Sequence, residues 1–285
     1  MKSVYFLCIA AMFLGISSAE DAWDGTEDPE DWPKTFPECG GKKQSPITIL
    51  QAKSEDWTPT DRKNKKFEMK FDGYDKEASV EAYNTGYLAN ITFKNSSSEK
   101  PRITLTQNGE TVEYYLTNID FHWESEHGFY GRRSDFETQM WHRNLDKNRV
   151  IALAYLINEC SDSEEEEELN MYQELVVAQD IVEYGNSYSY TEVPKTFMPR
   201  NYQCGYFMYE GSFTTPPCTE GVTWFVYRKT LCLSEIVINA FKTMQNKNGK
   251  RIESNNRPFQ ENDPELVYLS CNEDPEDDED DDDER

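Results

Sequence analysis

Histidine is scarce in this chain: His122, His127 and His142 are the only three in 285 residues. Any imidazole chemistry must draw on them. Basic residues are also few, 29 against 54 acidic ones, and the formal charge of -25 at pH 7 repels phosphate backbones. Nucleic acid is thereby excluded as a partner. Long apolar runs are missing too: Val4–Ile16 falls short of the ~20 residues that cross a bilayer, and no later segment is apolar enough. No membrane span is expected. No internal repeat and no Pro/Ser linker divides Trp23 from Leu269, which leaves one domain as the simplest organisation.

What is present begins with 37% hydrophobic residues, enough for a substantial core. The charge is uneven. Residues 20–31, 162–168 and 272–285 carry 24 of the 54 acids, so the rest of the chain is close to neutral. Such runs are too hydrophilic and self-repelling to fold alone. Residues 1–19 put one Lys before an apolar run and close on Ser17-Ser18-Ala19, the pattern of a cleaved secretion signal. A soluble, extracellular product is expected, with a folded domain over 20–271 and an acidic disordered tail over 272–285.

Cys8 leaves with the signal, and six cysteines remain, an even count that implies disulfides in an oxidising compartment. Fifteen pairings are open. Asn90-Ile91-Thr92 and Asn95-Ser96-Ser97 are glycosylation sequons that fit the same address. Short β-type runs cover Tyr87–Phe93, Arg102–Gln107, Glu113–Trp123, Asp135–His142 and Val150–Ile157, with helical periodicity near Tyr172–Val182 and Ser234–Asn246. The fold class is mainly β with short helices around a large, mainly antiparallel sheet.

Three segments together resemble the α-class carbonic anhydrases. They are Lys43-Gln44-Ser45-Pro46-Ile47, Phe121-His122-Trp123 with Ser125-Glu126-His127, and Gly211-Ser212-Phe213-Thr214-Thr215-Pro216-Pro217 with Val222-Thr223-Trp224. Asn255-Asn256-Arg257-Pro258 is a fourth, weaker match. The resemblance implies a central ten-stranded sheet and a disulfide between Cys39 and Cys204, which would close a loop of about 165 residues and add up to ~5 kcal/mol. It also brings Cys160 near Cys232. Cys218 and Cys271 are left open.

The family is implied to hold zinc with three neutral imidazoles and to lower the pKa of a bound water toward 7. Where the family has His-Phe-His-Trp, this chain has Asp120-Phe121-His122-Trp123, and Gln139 stands at the third ligand position. Two of three imidazoles are replaced. Asp oxygen is an acceptable zinc ligand but a neutral amide is a weak one, so affinity should fall by ~10³-fold or more if each ligand contributes on the order of 3 kcal/mol. His127 and His142 match structural histidines, and Glu137 a carboxylate that orients the third ligand. Tyr87 occupies the proton-shuttle position, where its pKa near 10 makes a poor relay at neutral pH. Trp141 and Phe213 replace smaller residues and should fill the CO₂ pocket. Thr214 and Glu126, the pair that orients zinc-bound hydroxide in the family, are kept, and their expected role here is to tie loop to sheet.

The resulting expectation is a secreted carbonic anhydrase-related protein without efficient CO₂ hydration, serving as an acidic extracellular scaffold. The alternative is an active zinc hydratase using Asp120, His122 and Gln139. Zinc belongs only to that alternative. The acidic runs are open to weak, multivalent calcium, a mineral surface or a basic protein, or serve as a solvated tail.

Overall fold

The computed structural model describes residues 25, 27–50, 67–94, 100–107, 109–160, 169, 171–199, 205–261 and 267–269. The expected signal segment 1–19 and acidic tail 272–285, together with Asn95, Cys204 and Cys271, lie outside them. After a short helix α1 (Trp32–Thr35), the strands are β1 (Thr48–Ile49), β2 (Phe67–Asp72), β3 (Ala78–Asn84), β4 (Ala89–Phe93), β5 (Arg102–Gln107), β6 (Glu110–His122), β7 (Gly128–Phe129), β8 (Arg132–Arg133), β9 (Phe136–Asn144) and β10 (Arg149–Glu159). Helix α2 (Tyr172–Asp180), β11 (Ser187–Glu192), β12 (Tyr206–Ser212), β13 (Glu220–Tyr227), β14 (Leu231–Leu233), α3 (Glu235–Phe241) and β15 (Val267–Leu269) follow.

One twelve-stranded sheet has the path β11-β3-β4-β6-β9-β10-β13-β12-β15. β5 joins β6 and carries β2, while β14 joins β10. Within this sheet the pairings are antiparallel except β10 with β13 and with β14, and β1, β7 and β8 form a separate three-stranded sheet in which β1 runs parallel to β7. The count exceeds the expected ten because β6 serves two neighbours: its first half pairs with β5 and its second with β4. A bulge between Leu116 and Asn118 separates the halves, and the Thr117 hydroxyl there donates to the Trp141 carbonyl at 3.0 Å.

Alternation along the central strands divides the core into two. On β10, Ile151, Leu153, Tyr155 and Ile157 join the larger cluster with Phe121, Phe136 and Met140. Ala152, Ala154 and Leu156 point the other way, toward Trp141, Tyr209 and Trp224. β9 is buried on both faces from Phe136 to His142, which leaves its polar side chains dependent on internal partners.

Among the described residues two disulfides form, Cys160–Cys232 and Cys39–Cys218, with Cα–Cα distances of 4.7 and 4.8 Å. The first agrees with expectation. The second corrects the Cys39–Cys204 pairing: Cys39 lies beside the loop after β12, whereas Cys204 precedes that strand, and seven extended residues span roughly 20 Å. Arg257, whose guanidinium donates to the Cys39 carbonyl at 2.8 Å, fixes Cys39 there. Replacing Cys39 and Cys218 by Ala should cost about 2–5 kcal/mol in chemical denaturation, and non-reducing peptide mapping should recover the 39–218 link in a Cys204→Ala variant.

Two buried titratable groups set opposite pH limits. Glu174 of α2 is buried near Glu192 and Tyr190 of β11; burial, then the Glu192 carboxyl, push its pKa up to about 9. The native state therefore keeps a proton that the unfolded chain releases above about 4.5, and stability should fall as pH rises from there toward 9. Burial pushes His142 down to about 3, so the unfolded chain takes up a proton that the native state refuses. Stability should fall as pH drops from 6.5 toward 3. Urea midpoints measured across pH should lose the alkaline slope in Glu174→Gln and keep the acid one.

Candidate functional site

The β6–β9 register places Asp120 opposite Gln139 and His122 opposite Glu137, so period-2 geometry collects all four on one side of the sheet. They do not converge as ligands. The Asp120 carboxylate turns to two amides, accepting from Asn90 Nδ2 at 2.5 Å and Asn118 Nδ2 at 3.1 Å. Burial raises its pKa, against the pull of His122 and those amides. His122 Nδ1 donates to the Asn255 carbonyl at 3.0 Å, and its Nε2 lies 3.6 Å from Glu126 Oε2 without a hydrogen bond.

Gln139 occupies the centre. Its Nε2 donates to Glu126 Oε2 and to Glu137 Oε1, each at 2.8 Å, and its Oε1 is left without a partner. Glu126 completes its set with the Arg257 backbone N–H at 3.1 Å. Both oxygens of this fully buried carboxylate are thus engaged without Thr214. No hydrogen bond joins Thr214 to Glu126 among the described residues, which corrects the expectation that the pair ties loop to sheet. Gln139 supplies the donor that Thr214 was expected to provide.

Glu137 also accepts from the His127 backbone N–H at 2.7 Å and from His127 Nδ1 at 2.9 Å. Burial would raise its pKa, but His127, then His122 and Gln139, hold it lowered. His127 Nε2 meets the Tyr209 hydroxyl at 2.7 Å, and that hydroxyl reaches Ser45 Oγ at 2.8 Å. His142 lies on the opposite face, against Tyr74 Oη and the Met140 carbonyl.

The donor chemistry does not fit a catalytic zinc. An anionic Asp120 held by two amides, one imidazole, and an amide whose NH₂ group is spent on two carboxylates do not offer three neutral ligands. Among the described residues no three of His, Cys, Asp and Glu come together as a metal-binding group.

Above this layer opens a cleft of about 730 Å³, lined by Trp141, Phe213 and Tyr87 among others. Trp141 is 3% exposed, stacks on Phe213 at 4.9 Å and 15°, and meets Trp224 edge-on at 5.0 Å. Asn90 stands mid-strand in the cleft wall, so a glycan on its Nδ2 would break the Asp120 bond and enter the cleft.

A sheet carrying this side-chain set beneath a Thr-Thr-Pro-Pro loop defines a carbonic anhydrase-type protein. The family model for eukaryotic-type carbonic anhydrase matches residues 27–271, and the chain belongs to that family. Its relatives include dioscorin DB3S of Dioscorea polystachya, 27% identical over 91% of this chain and 88% of that protein. Carbonic anhydrase 6 of Mus musculus is 27% identical over 91% and 84%. Alpha carbonic anhydrase 7 of Arabidopsis thaliana is 26% identical over 94% and 96%.

Sequence reasoning passed over several residues that shape the site. Arg257, 2% exposed, donates to Gln44 Oε1 at 2.9 Å and the Ser45 carbonyl at 2.8 Å, joining the N-terminal segment to the floor. Burial lowers its pKa to about 10. Its place in the fourth matching segment was the available signal. Lys100 and Arg143 line the cleft, and neither had a motif to mark it.

Replacing Gln139 by Ala should destabilise by about 2–4 kcal/mol, because two buried carboxylates lose a donor and a cavity opens. A lower denaturation midpoint at unchanged m-value is the expected reading.

Proposed function

We propose that this is a secreted carbonic anhydrase-related protein that does not hydrate CO₂ efficiently and works as an extracellular binding scaffold. The observation that carries the reading is the Gln139 amide held between Glu126 and Glu137, where the family's chemistry requires an imidazole facing a metal. The neighbouring Asp120 is equally committed, to Asn90 and Asn118. Tyr87 adds to it: burial pushes its phenol pKa well above 10, and a hydroxyl that hard to ionise relays protons poorly at neutral pH. Trp141 and Phe213 support it by filling the space beside the centre.

The scaffold reading takes residues 1–19 as a cleaved signal, 20–271 as the folded domain and 272–285 as an acidic tail. Two disulfides fit an oxidising compartment, and among the described residues no helix is long and apolar enough to cross a membrane. Eleven acids in the last fourteen residues support contact with calcium, mineral or a basic protein through summed charge.

Elemental analysis of protein purified without added metal, alongside stopped-flow CO₂ hydration, tests the reading. The expected result is zinc far below one equivalent and no rate above buffer. Zinc near one equivalent with measurable hydration overturns it. Asp120→His combined with Gln139→His should raise zinc affinity by ~10³-fold, whereas either change alone should recover much less.

A further inference from the structure

We propose that the cleft over the degenerate centre binds a hydroxyl-rich carboxylate of the sugar-acid class. The inference rests on the reading that this cleft no longer serves a metal-bound hydroxide. Its volume, about 730 Å³, lies in the range of small-molecule sites.

Charge is the first observation. Lys100 and Arg143 both line the cleft, and among the described residues neither has a carboxylate partner. Two cations without a described carboxylate partner, both facing one cavity, stand out in a chain of net charge -25. Arg143 is held in place over Phe213, 5.3 Å from the ring centroid, and Phe213 is itself stacked on Trp141. A carboxylate is the natural counter-charge for a guanidinium positioned this way.

The second observation is independent of charge. The indole N–H of Trp141 is buried and has no hydrogen-bond partner, although the residue lines the cleft. A buried donor left unpaired carries an unrecovered desolvation cost, which an oxygen of a bound ligand would offset.

The walls supply the rest of the recognition. Asn90, Thr92, Thr117 and Asn118 present groups that both donate and accept, and Asp120 accepts. Hydroxyls match such a wall because they too do both. At the mouth stand Tyr83 and Tyr184, 36% and 50% exposed. Tyr184 packs onto Gly86, where a Cβ would come within 2.8 Å of the ring and where φ is +88°, so glycine keeps that ring at the rim. Flat aromatic faces there suit the C–H face of a sugar ring. An apolar ligand would leave the Trp141 N–H and the two cations unmatched, and a polyphosphate would meet the repulsion of the whole chain.

A free sugar acid and the end unit of an acidic polysaccharide share this chemistry. Titration calorimetry on the full secreted protein, with and without chelator, uses D-glucuronate, a glucuronate-terminated tetrasaccharide, D-glucose and benzoate as probes. Saturable glucuronate binding is expected, unchanged by chelation, with glucose and benzoate each roughly tenfold weaker or more. A tighter tetrasaccharide identifies the polysaccharide as the source, and equal affinities identify the free acid. Arg143→Gln and Lys100→Gln, checked for unchanged thermal midpoints, should each weaken glucuronate roughly tenfold, and Trp141→Phe several-fold. No saturation by about 10 mM with either acid, unaltered affinity in both cation variants, benzoate binding as tightly as glucuronate, or a glycan mapped to Asn90 would overturn the proposal. Zinc-dependent CO₂ hydration with glucuronate binding intact would sink the functional reading and leave this inference standing.

Discussion

The bridge from the Gln139 amide to two buried carboxylates is the interaction on which the rest of the site depends. Glu126 and Glu137 are each fully buried, and an anion in that position is tolerable only when donors surround it. In a metal centre the ion would supply the compensating charge; here one neutral NH₂ group reaches both. Glu126 is then closed off by the Arg257 backbone and Glu137 by His127, so each carboxylate has its donors from the protein itself. One hydrogen-bond network thus joins the carboxylates of the layer beneath the cleft, with His122 Nε2 and Gln139 Oε1 left outside it.

Arg257 extends that network across the molecule. Its backbone binds Glu126 while its guanidinium grips Gln44, the Ser45 carbonyl and the Cys39 carbonyl, and lies 5.6 Å from the ring centre of Trp32. Because Cys39 is disulfide-bonded to Cys218, the N-terminal segment, the loop after β12 and the floor of the site form one unit. The segments with the sharpest motifs are those that this arginine ties together.

Much of this was legible in the chain because it rests on local pattern. The five runs between residues 87 and 157 correspond to β4, β5, β6, β9 and β10, and α2 and α3 fall where helical periodicity placed them, α3 shorter than expected. Asp120 and Gln139 were readable as replaced ligands because the resemblance sets them at the family's ligand positions, and strand alternation then puts them on one face. The partner of Cys39 was not readable, since six cysteines allow fifteen pairings and only the position of the β12 loop decides among them. Nor was the loss of the Thr214–Glu126 bond, because a side-chain hydrogen bond goes to whichever donor reaches first, and a glutamine rotamer carries no sequence signal. The two cleft cations lacked a motif for the same reason: their importance lies in having no carboxylate partner among the described residues.

The bulge at Thr117 has a wider mechanical consequence. It splits β6 into a half that pairs with β5 and a half that carries Asp120 and His122 beside β4. Slippage, lengthening or recharging of the β2–β5 arm is absorbed at the junction instead of being transmitted along the strand to the buried network. The β2–β5 arm and the strand segment bearing Asp120 and His122 therefore hang from the same stretch of backbone yet answer to different neighbours.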